Sequence, residues 1–370
     1  MSRSLIVLPD DTSQPILQAI AAARRSILVK MFVLTAADVI AALIAAAKRG
    51  VHVRLMLNPA RRTGEDDNAE SRVALAHGKV EVRDSNPAFE LTHEKSMVVD
   101  GETGYVMSLN WDVKNFTETR DYAVVTSHRH EVDEMVACFE ADWHRRRFGL
   151  ADKAQLIWCN SNGRDRVAAF VDAAQHTLHV QNERYQDEVI IERLVRARTR
   201  GVKVHVMARP PHSLKKDKLV EGVGGLRILN DVGVKVHKVH GLRLHAKMML
   251  ADGARALVGS INLAPGSFDH RRELAIEVHD DEVIARLGKI VHRDWESSRP
   301  LDLTDAGLLA DLEDREDEAK SKLGIAPTRN SAASASHSHP CPLHANRAPA
   351  LARRASAAML RTFATERTRS

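Results

Sequence analysis

Residues 93–110, HEKSMVVDGETGYVMSLN, return nearly unchanged at 245–262 as HAKMMLADGARALVGSIN. The correspondence extends far beyond these stretches. His93 matches His245 and Trp143 matches Trp295 at an offset of 152, while Gly50 in AKRGVHVRLMLNP matches Gly201 in RTRGVKVHVMARP at 151. An offset held to one residue over this distance means one structural unit written twice, and that constrains the fold before any single element is assigned.

Each half reads alike. A helix with small and apolar residues (ILQAIAAARRS; RVAAFVDAAQH) leads to a β-rich run (ILVKMFVL; TLHVQN). A second helix then stops at Gly50 or Gly201, the residue type expected just past a helix C-terminus, and a strand follows. Alternating strand and helix predicts an α/β fold with mainly parallel sheets covered by helices, two homologous halves about a pseudo-twofold axis. Three closely spaced strands follow near 93–99, 104–109 and 120–126, then a closing helix near 129–146. The predicted domains are 1–150, 151–300, a charged helix at 301–325 with Thr304 as its N-cap, and a disordered basic tail at 326–370.

Charge and cysteine usage narrow the classes further. The chain carries +5 overall, but residues 326–370 hold seven Arg against Glu366, which is +6, so residues 1–325 sum to −1. The body therefore lacks a global basic field for nucleic acid. Cys138, Cys159 and Cys341 are too few and scattered for a disulfide framework, which suggests a reducing compartment. The N-terminus has only a short apolar run before Pro9, and VIAALIAAAKRG is too short to span a bilayer. The expectation is a cytoplasmic protein, at most peripheral to membrane, monomeric with an internal pseudo-dimer.

The repeated residues carry a definite chemistry. In the first copy they are His93, Lys95, Asp100, Ser108, Asn110 and the acid Asp121; in the second they are His245, Lys247, Asp252, Ser260, Asn262 and Glu273. His to acid is 28 positions in both. Strand alternation puts i and i+2 on one face, so His93 with Lys95 and Ser108 with Asn110 can project together. Lysine supplies point charge, and Asn and Ser supply donors, for the oxygens of a phosphate. Two copies suit displacement at phosphorus, in which one imidazole attacks while the other protonates the departing oxygen from the opposite side. Asp121 and Glu273 would each hold an imidazole in the useful tautomer, and the two lysines would neutralise charge without a metal or other cofactor.

These residues resemble the signature of the phospholipase D superfamily, HxK(x4)D(x6)GSxN, present here twice over about residues 10–297. The resemblance implies a metal-independent phosphodiester exchange through a phosphohistidine, with His93 as nucleophile and His245 as general acid. It places Asp100 and Asp252 in supporting positions away from the phosphate. The chain departs from the pattern at Met107, where the motif has Gly, and at Asp121, where Glu is more usual. A bulky Met107 would narrow its half of the pocket.

The substrate expected first is a phospholipid headgroup, cleaved or exchanged. Cardiolipin synthase-like phosphatidyl transfer ranks behind it, because the resemblance leads one to expect an Arg near Gly266 and N-terminal membrane-spanning helices there. A nuclease of the superfamily ranks lower, for want of a positive groove. Glu183 and Tyr185 follow a predicted strand and are candidates for the substrate mouth. His237 and His240 read as solvated residues, and GVGG at 222–225 lacks the frame of a nucleotide loop.

Overall fold

A computed structural model describes residues 3–59, 64–210 and 219–310. The first half contains β1 (Arg3–Leu8), α1 (Gln14–Ala22), β2 (Ser26–Met31), α2 (Ala37–Lys48), β3 (His52–Leu57), α3 (Ala69–His77) and β4 (Glu81–Asp84). It continues with β5 (Leu91–Thr92), β6 (Ser96–Val99), β7 (Thr103–Met107), α4 (Val113–Thr117), β8 (Thr119–Thr126) and α5 (Arg129–Trp143). The second half contains β9 (Ile157–Trp158), α6 (Gly163–Asp172), β10 (Thr177–Asn182), α7 (Glu188–Thr199), β11 (Lys203–Ala208), α8 (Leu219–Asp231) and β12 (Lys235–Lys238). It ends with β13 (Arg243–Leu244), β14 (Met248–Ala251), β15 (Arg255–Gly259), α9 (Pro265–Asp269), β16 (Arg271–Arg272), β17 (Leu274–Val278), α10 (Asp281–Ser297) and β18 (Arg299–Pro300). The repeat inferred from the sequence is thus a repeat of structure. Gly50 and Gly201 sit just past α2 and α7 with φ of +91° and +95°, the left-handed turn that stops each helix.

Two eight-stranded sheets result, ordered β1-β8-β7-β6-β2-β3-β4 with β13 beside β8, and β18-β12-β11-β10-β14-β15-β17-β9. The α/β class and the duplication stand, but the expectation of mainly parallel sheets does not. Within a half, parallel pairing is confined to β2–β3–β4 and β10–β11–β12; β6–β7–β8 and β14–β15–β17 are antiparallel. The connections differ accordingly: α2, α3, α7 and α8 carry the chain over between the parallel strands. Tight turns reverse it from β6 to β7 and from β14 to β15, and the only helices on the way to β8 and β17 are the five-residue α4 and α9.

Strand alternation sorts the side chains into three cores. Ile6 and Leu8 of β1 face outward with α1, α2 and α3, while Leu5 and Val7 face inward. That central core gathers the inner faces of both sheets with Phe139 and Trp143 of α5 and Leu287 and Val291 of α10. The outer core of the second half includes Leu301, Leu303 and Leu308. Thr304 Oγ1 accepts a hydrogen bond from Gly307 N at 3.1 Å, as an N-cap does, and residues 305–310 are helical. The remainder of the predicted 301–325 helix, the basic tail and Cys341 lie outside the described residues. Residues 222–225 belong to helix α8, so the glycine cluster forms no nucleotide loop.

His179, His205 and His237 line up across β10, β11 and β12 beneath Trp295 of α10. His179 stacks on His205 at 4.6 Å, and His237 on Trp295 at 4.1 Å. Burial pushes all three imidazoles below their ordinary value, His179 to about 4. The folded protein therefore takes up fewer protons than the unfolded chain below pH ~6.5. The stability these residues contribute is complete above that pH and is lost as pH falls toward 4. Melting temperatures followed from pH 6.5 to 4 should fall, and less so in His179→Leu, which copies Leu28 at the matching place in the first half. An unchanged slope in that variant would remove the histidines from the explanation.

Candidate active site

Backbone pairing between the halves builds the site. The strand before His93, β5, pairs in parallel with β16, which precedes Glu273; the strand before His245, β13, pairs in parallel with β8 near Asp121. The N–H of His93 donates to Arg272 O, and that of His245 donates to Arg120 O. Each histidine is consequently laid beside the acid of the opposite half. Glu273 accepts from His93 Nδ1 at 3.0 Å, and Asp121 from His245 Nδ1 at 2.9 Å. A carboxylate on Nδ1 fixes the tautomer and leaves Nε2 of each ring for chemistry.

Both rings open on one cavity of about 630 Å³, which Asn110 and Asn262 also line. The Oδ1 atoms of the two asparagines are buried without a hydrogen-bond partner. Lys95 and Lys247 are buried, their ammonium groups donating to the carbonyls of His93 and His245 respectively. His93, Lys95, Asn110, His245, Lys247 and Asn262 thus come together as the spacing predicts, although the His-x-Lys segments precede β6 and β14 instead of forming part of them.

Four expectations need correction. Ser108 and Ser260 do not reach the cavity. Ser108 Oγ donates to Asp121 Oδ1 at 2.6 Å, and the Ser260 hydroxyl is fully buried, where it hydrogen-bonds Glu273. They orient the acids, because their strand direction points them under the pocket floor. Met107 does not narrow the pocket. It faces the outer core opposite Ala123, whereas a Cβ at its counterpart Gly259 would lie 2.3 Å from Leu274 O. Tyr185 is buried, its hydroxyl donating to Met207 O at 2.8 Å, so only Glu183 of that pair reaches the cavity. Finally, a near-neutral body still has a positive mouth: Lys114, Arg184, Arg209, Arg243 and Arg271 line the cavity, against the acids Glu90, Asp112 and Glu183.

Asp100 and Asp252 stand at the far ends of β6 and β14 from the histidines. Their carboxylates accept from the backbone N–H groups of Arg24, Arg25 and Ser26, and of Gln175, His176 and Thr177. They tie each hairpin to the start of β2 or β10. Asn115 escaped the sequence reading. Its Nδ2 lies 2.8 Å from Asp121 Oδ2 and 3.1 Å from His245 Nδ1, and its counterpart at offset 152 is Ser267, a donor to Glu273.

Behind the histidines, two buried clamps cross between the halves. Arg272 engages Asp142 of α5 at 2.9 and 3.0 Å, and Arg120 engages Asp294 of α10 at 2.7 and 2.9 Å. Each arginine directly precedes one of the two acids. Among the described residues, Glu94, Cys138 and Asp142 have the mutual distances of metal ligands. The Lys30 ammonium lies among them, 3.0 Å from Glu94, 3.1 Å from Cys138 and 2.7 Å from Asp142. A cation is already built into that position.

Electrostatics separate the two rings. Burial, then Lys95 and Lys247, holds His93 well below its ordinary value, so its imidazole is neutral. Burial raises Glu273 to about 7 and, with Lys247, lowers Lys95 to about 7. Against burial, His245 and Lys247 keep Asp121 below the usual carboxylate range. His245 alone has a second carboxylate nearby, Glu183, 3.7 Å from its Nε2.

A family model described as the PLD-like domain of cardiolipin synthase matches residues 16–143 and again 167–295. The chain belongs to the phospholipase D superfamily. Cardiolipin synthase B of Escherichia coli (strain K12) is 24% identical over 313 residues, covering 72% of this chain and 73% of that protein. Cardiolipin synthase A of Erwinia tasmaniensis is 22% identical over 340 residues, covering 77% and 67%. The fold matches phosphatidylserine synthase of Haemophilus influenzae Rd KW20 at a TM-score of 0.66 with 12% identity, covering 86% of this chain and 91% of that one. It matches a polyphosphate kinase from Porphyromonas gingivalis at 0.65 with 14% identity over 82% of this chain, which spans 49% of the kinase. The resemblance to the phospholipase D superfamily stands. Arg271 lies beside Gly266, where a Cβ would be 3.6 Å from its guanidinium carbon. No helix among the described residues is long and apolar enough to cross a membrane.

Proposed function

We propose that this protein is a phosphatidyltransferase of the phospholipase D type, passing a phosphatidyl group from a phospholipid headgroup to an alcohol through a phosphohistidine on His93. The observation that carries this reading is the pair of imidazoles open to one cavity, each held at Nδ1 by the carboxylate of the other half. Burial and the two lysines keep the His93 imidazole neutral, so its Nε2 lone pair attacks phosphorus. The bond from phosphorus to the headgroup oxygen breaks, and that oxygen takes the proton from His245 Nε2. In the second step the acceptor hydroxyl returns a proton to His245 while its oxygen displaces His93 from phosphorus. Lys95, Lys247, Asn110 and Asn262 surround the position where phosphoryl charge would gather. Water as acceptor gives hydrolysis, the competing outcome of the same intermediate. The relatives named for phosphatidyl-transferring syntheses support transfer over hydrolysis.

The test is trapping in EDTA. Vesicles of phosphatidylglycerol labelled at phosphorus, quenched during turnover, should leave acid-labile, base-stable label on His93. His93→Ala should lose that label and about 10⁴-fold or more of headgroup exchange. Exchange at the wild-type rate in His93→Ala would sink the mechanism. Because the cationic mouth suits any phosphodiester, single-stranded DNA belongs in the same assay, and its preferential cleavage would replace the lipid reading with the nuclease one.

A further inference from the structure

The halves differ most sharply at two matched places in the cavity wall. At offset 151, Glu183 stands where the first half has Phe32, and Arg209 where it has Asn58. The Phe32 ring packs edge-on against His93 at 5.0 Å between centroids, with the Lys95 ammonium 5.2 Å from its centre. At this place the first half presents an aromatic ring where the second presents a carboxylate. On the other side, Glu183 Oε2 accepts from Lys247 Nζ at 2.7 Å, Oε1 accepts from Arg209 Nη1 at 2.6 Å, and Oε2 lies 3.7 Å from His245 Nε2. The carboxylate side chain is 13% exposed and lines the cavity.

We propose that Glu183 determines the acceptor, accepting a hydrogen bond from a hydroxyl of a neutral or anionic polyol such as a glycerol group and disfavouring amine-bearing headgroups. This rests on the transfer reading above. A carboxylate offers about four lone-pair positions, and Lys247 and Arg209 fill one on each oxygen, which leaves room for a hydroxyl donor beside His245 Nε2. An ammonium would gain little, because two cations already neutralise this anion and Arg184, Arg243 and Arg271 stand on the same rim. A hydroxyl held here has its oxygen beside the imidazole that must take its proton, the arrangement the second step requires. Lys95 is ion-paired with no carboxylate among the described residues, although Glu273 and Glu183 act on it through space, and it donates to His93 O, which leaves its other hydrogens for the phosphoryl oxygens. The phosphoryl group thus sits against the Phe32 side, while the oxygen that leaves in the first step and the hydroxyl that enters in the second take turns beside His245 and Glu183.

The experiment uses the full chain with vesicles of a phosphatidyl nitrophenyl ester as donor, whose departing nitrophenolate needs neither a proton from His245 nor a hydroxyl place at Glu183, and isotopically labelled glycerol, ethanol, ethanolamine or choline as acceptor. Two readouts are taken: the lipid products, and label on His93 without added acceptor. The wild type should use glycerol at least about tenfold better than ethanolamine or choline. Glu183→Gln should raise the KM for glycerol about tenfold more than it slows labelling of His93 by this donor. Glu183→Phe, copying the first half, should lose the preference and send most turnover to water. The inference is overturned if either variant keeps the wild-type acceptor ranking, if the wild type prefers an amine, or if the variants lose His93 labelling together with transfer, which would put Glu183 on the donor. Absence of label in the wild type would overturn the transfer reading itself.

Discussion

Glu273→Gln should abolish label on His93, whereas Asp121→Asn should spare it when the departing group needs no proton. Both effects follow from the crossed pairing. In the proposed mechanism Glu273 supports the attacking ring and Asp121 the ring that protonates the departing oxygen, each acid lying in the half opposite its histidine. Removing a carboxylate that fixes a catalytic imidazole costs about 10³- to 10⁴-fold. With a phospholipid donor, both variants should show a loss of that size. With a phosphodiester bearing a nitrophenolate, a good leaving group, Asp121→Asn should recover most of its first-step rate and Glu273→Gln should not. Equal recovery in the two variants, or recovery in Glu273→Gln alone, would contradict the assigned roles.

The two lysines offer a second contrast. Each replaced by Met should cost about 10³-fold or more in turnover, because each places positive charge at the phosphoryl position. Stability should move in opposite directions. Lys95 is fully buried and burial, with Lys247, lowers it from 10.5 to about 7. A cation whose folded pKa lies below its unfolded value makes folding cost most below pH ~7, and the cost fades as pH rises toward 10.5. Lys95→Met should therefore raise the melting temperature at pH 7, by about 1–4 kcal/mol of stability. Lys247 is ion-paired with Glu183, and Lys247→Met leaves that carboxylate with fewer partners, so it should lower stability by about 1–3 kcal/mol. Thermal melts of the two variants side by side at neutral pH decide the matter. A fall in both would mean that Lys95 is better compensated than its burial among cations implies.

Much of this site was legible in the chain because its chemistry is local. His-x-Lys and the Asn two positions past each Ser are short-range patterns, and the offset of 152 shows that each occurs twice. Directions over long range were less legible. The crossing of the acids depends on β5 finding β16 and β13 finding β8, pairings between residues more than a hundred positions apart. Met107 turned outward and the serines turned beneath the acids because strand phase, which residue identity does not reveal, decided their faces. The cationic mouth was hidden from a net charge of −1 because its members come from five separate segments. Asn115 was within reach, since the alignment already sets it against Ser267. Its unlike partner made it look like ordinary divergence.

The Phe32 and Glu183 pair has a consequence for how such a site can arise. In an assembly of two identical chains every substitution is made twice, so a carboxylate that helped one step would also stand against the phosphoryl group in the other. Joining the copies in one polypeptide removes that restriction, and each wall of the cavity can be altered alone. An enzyme meant to choose its acceptor without weakening its grip on the donor needs such independence, and engineering of acceptor choice in this chain should begin at 183 and 209 while leaving 32 and 58 as they are.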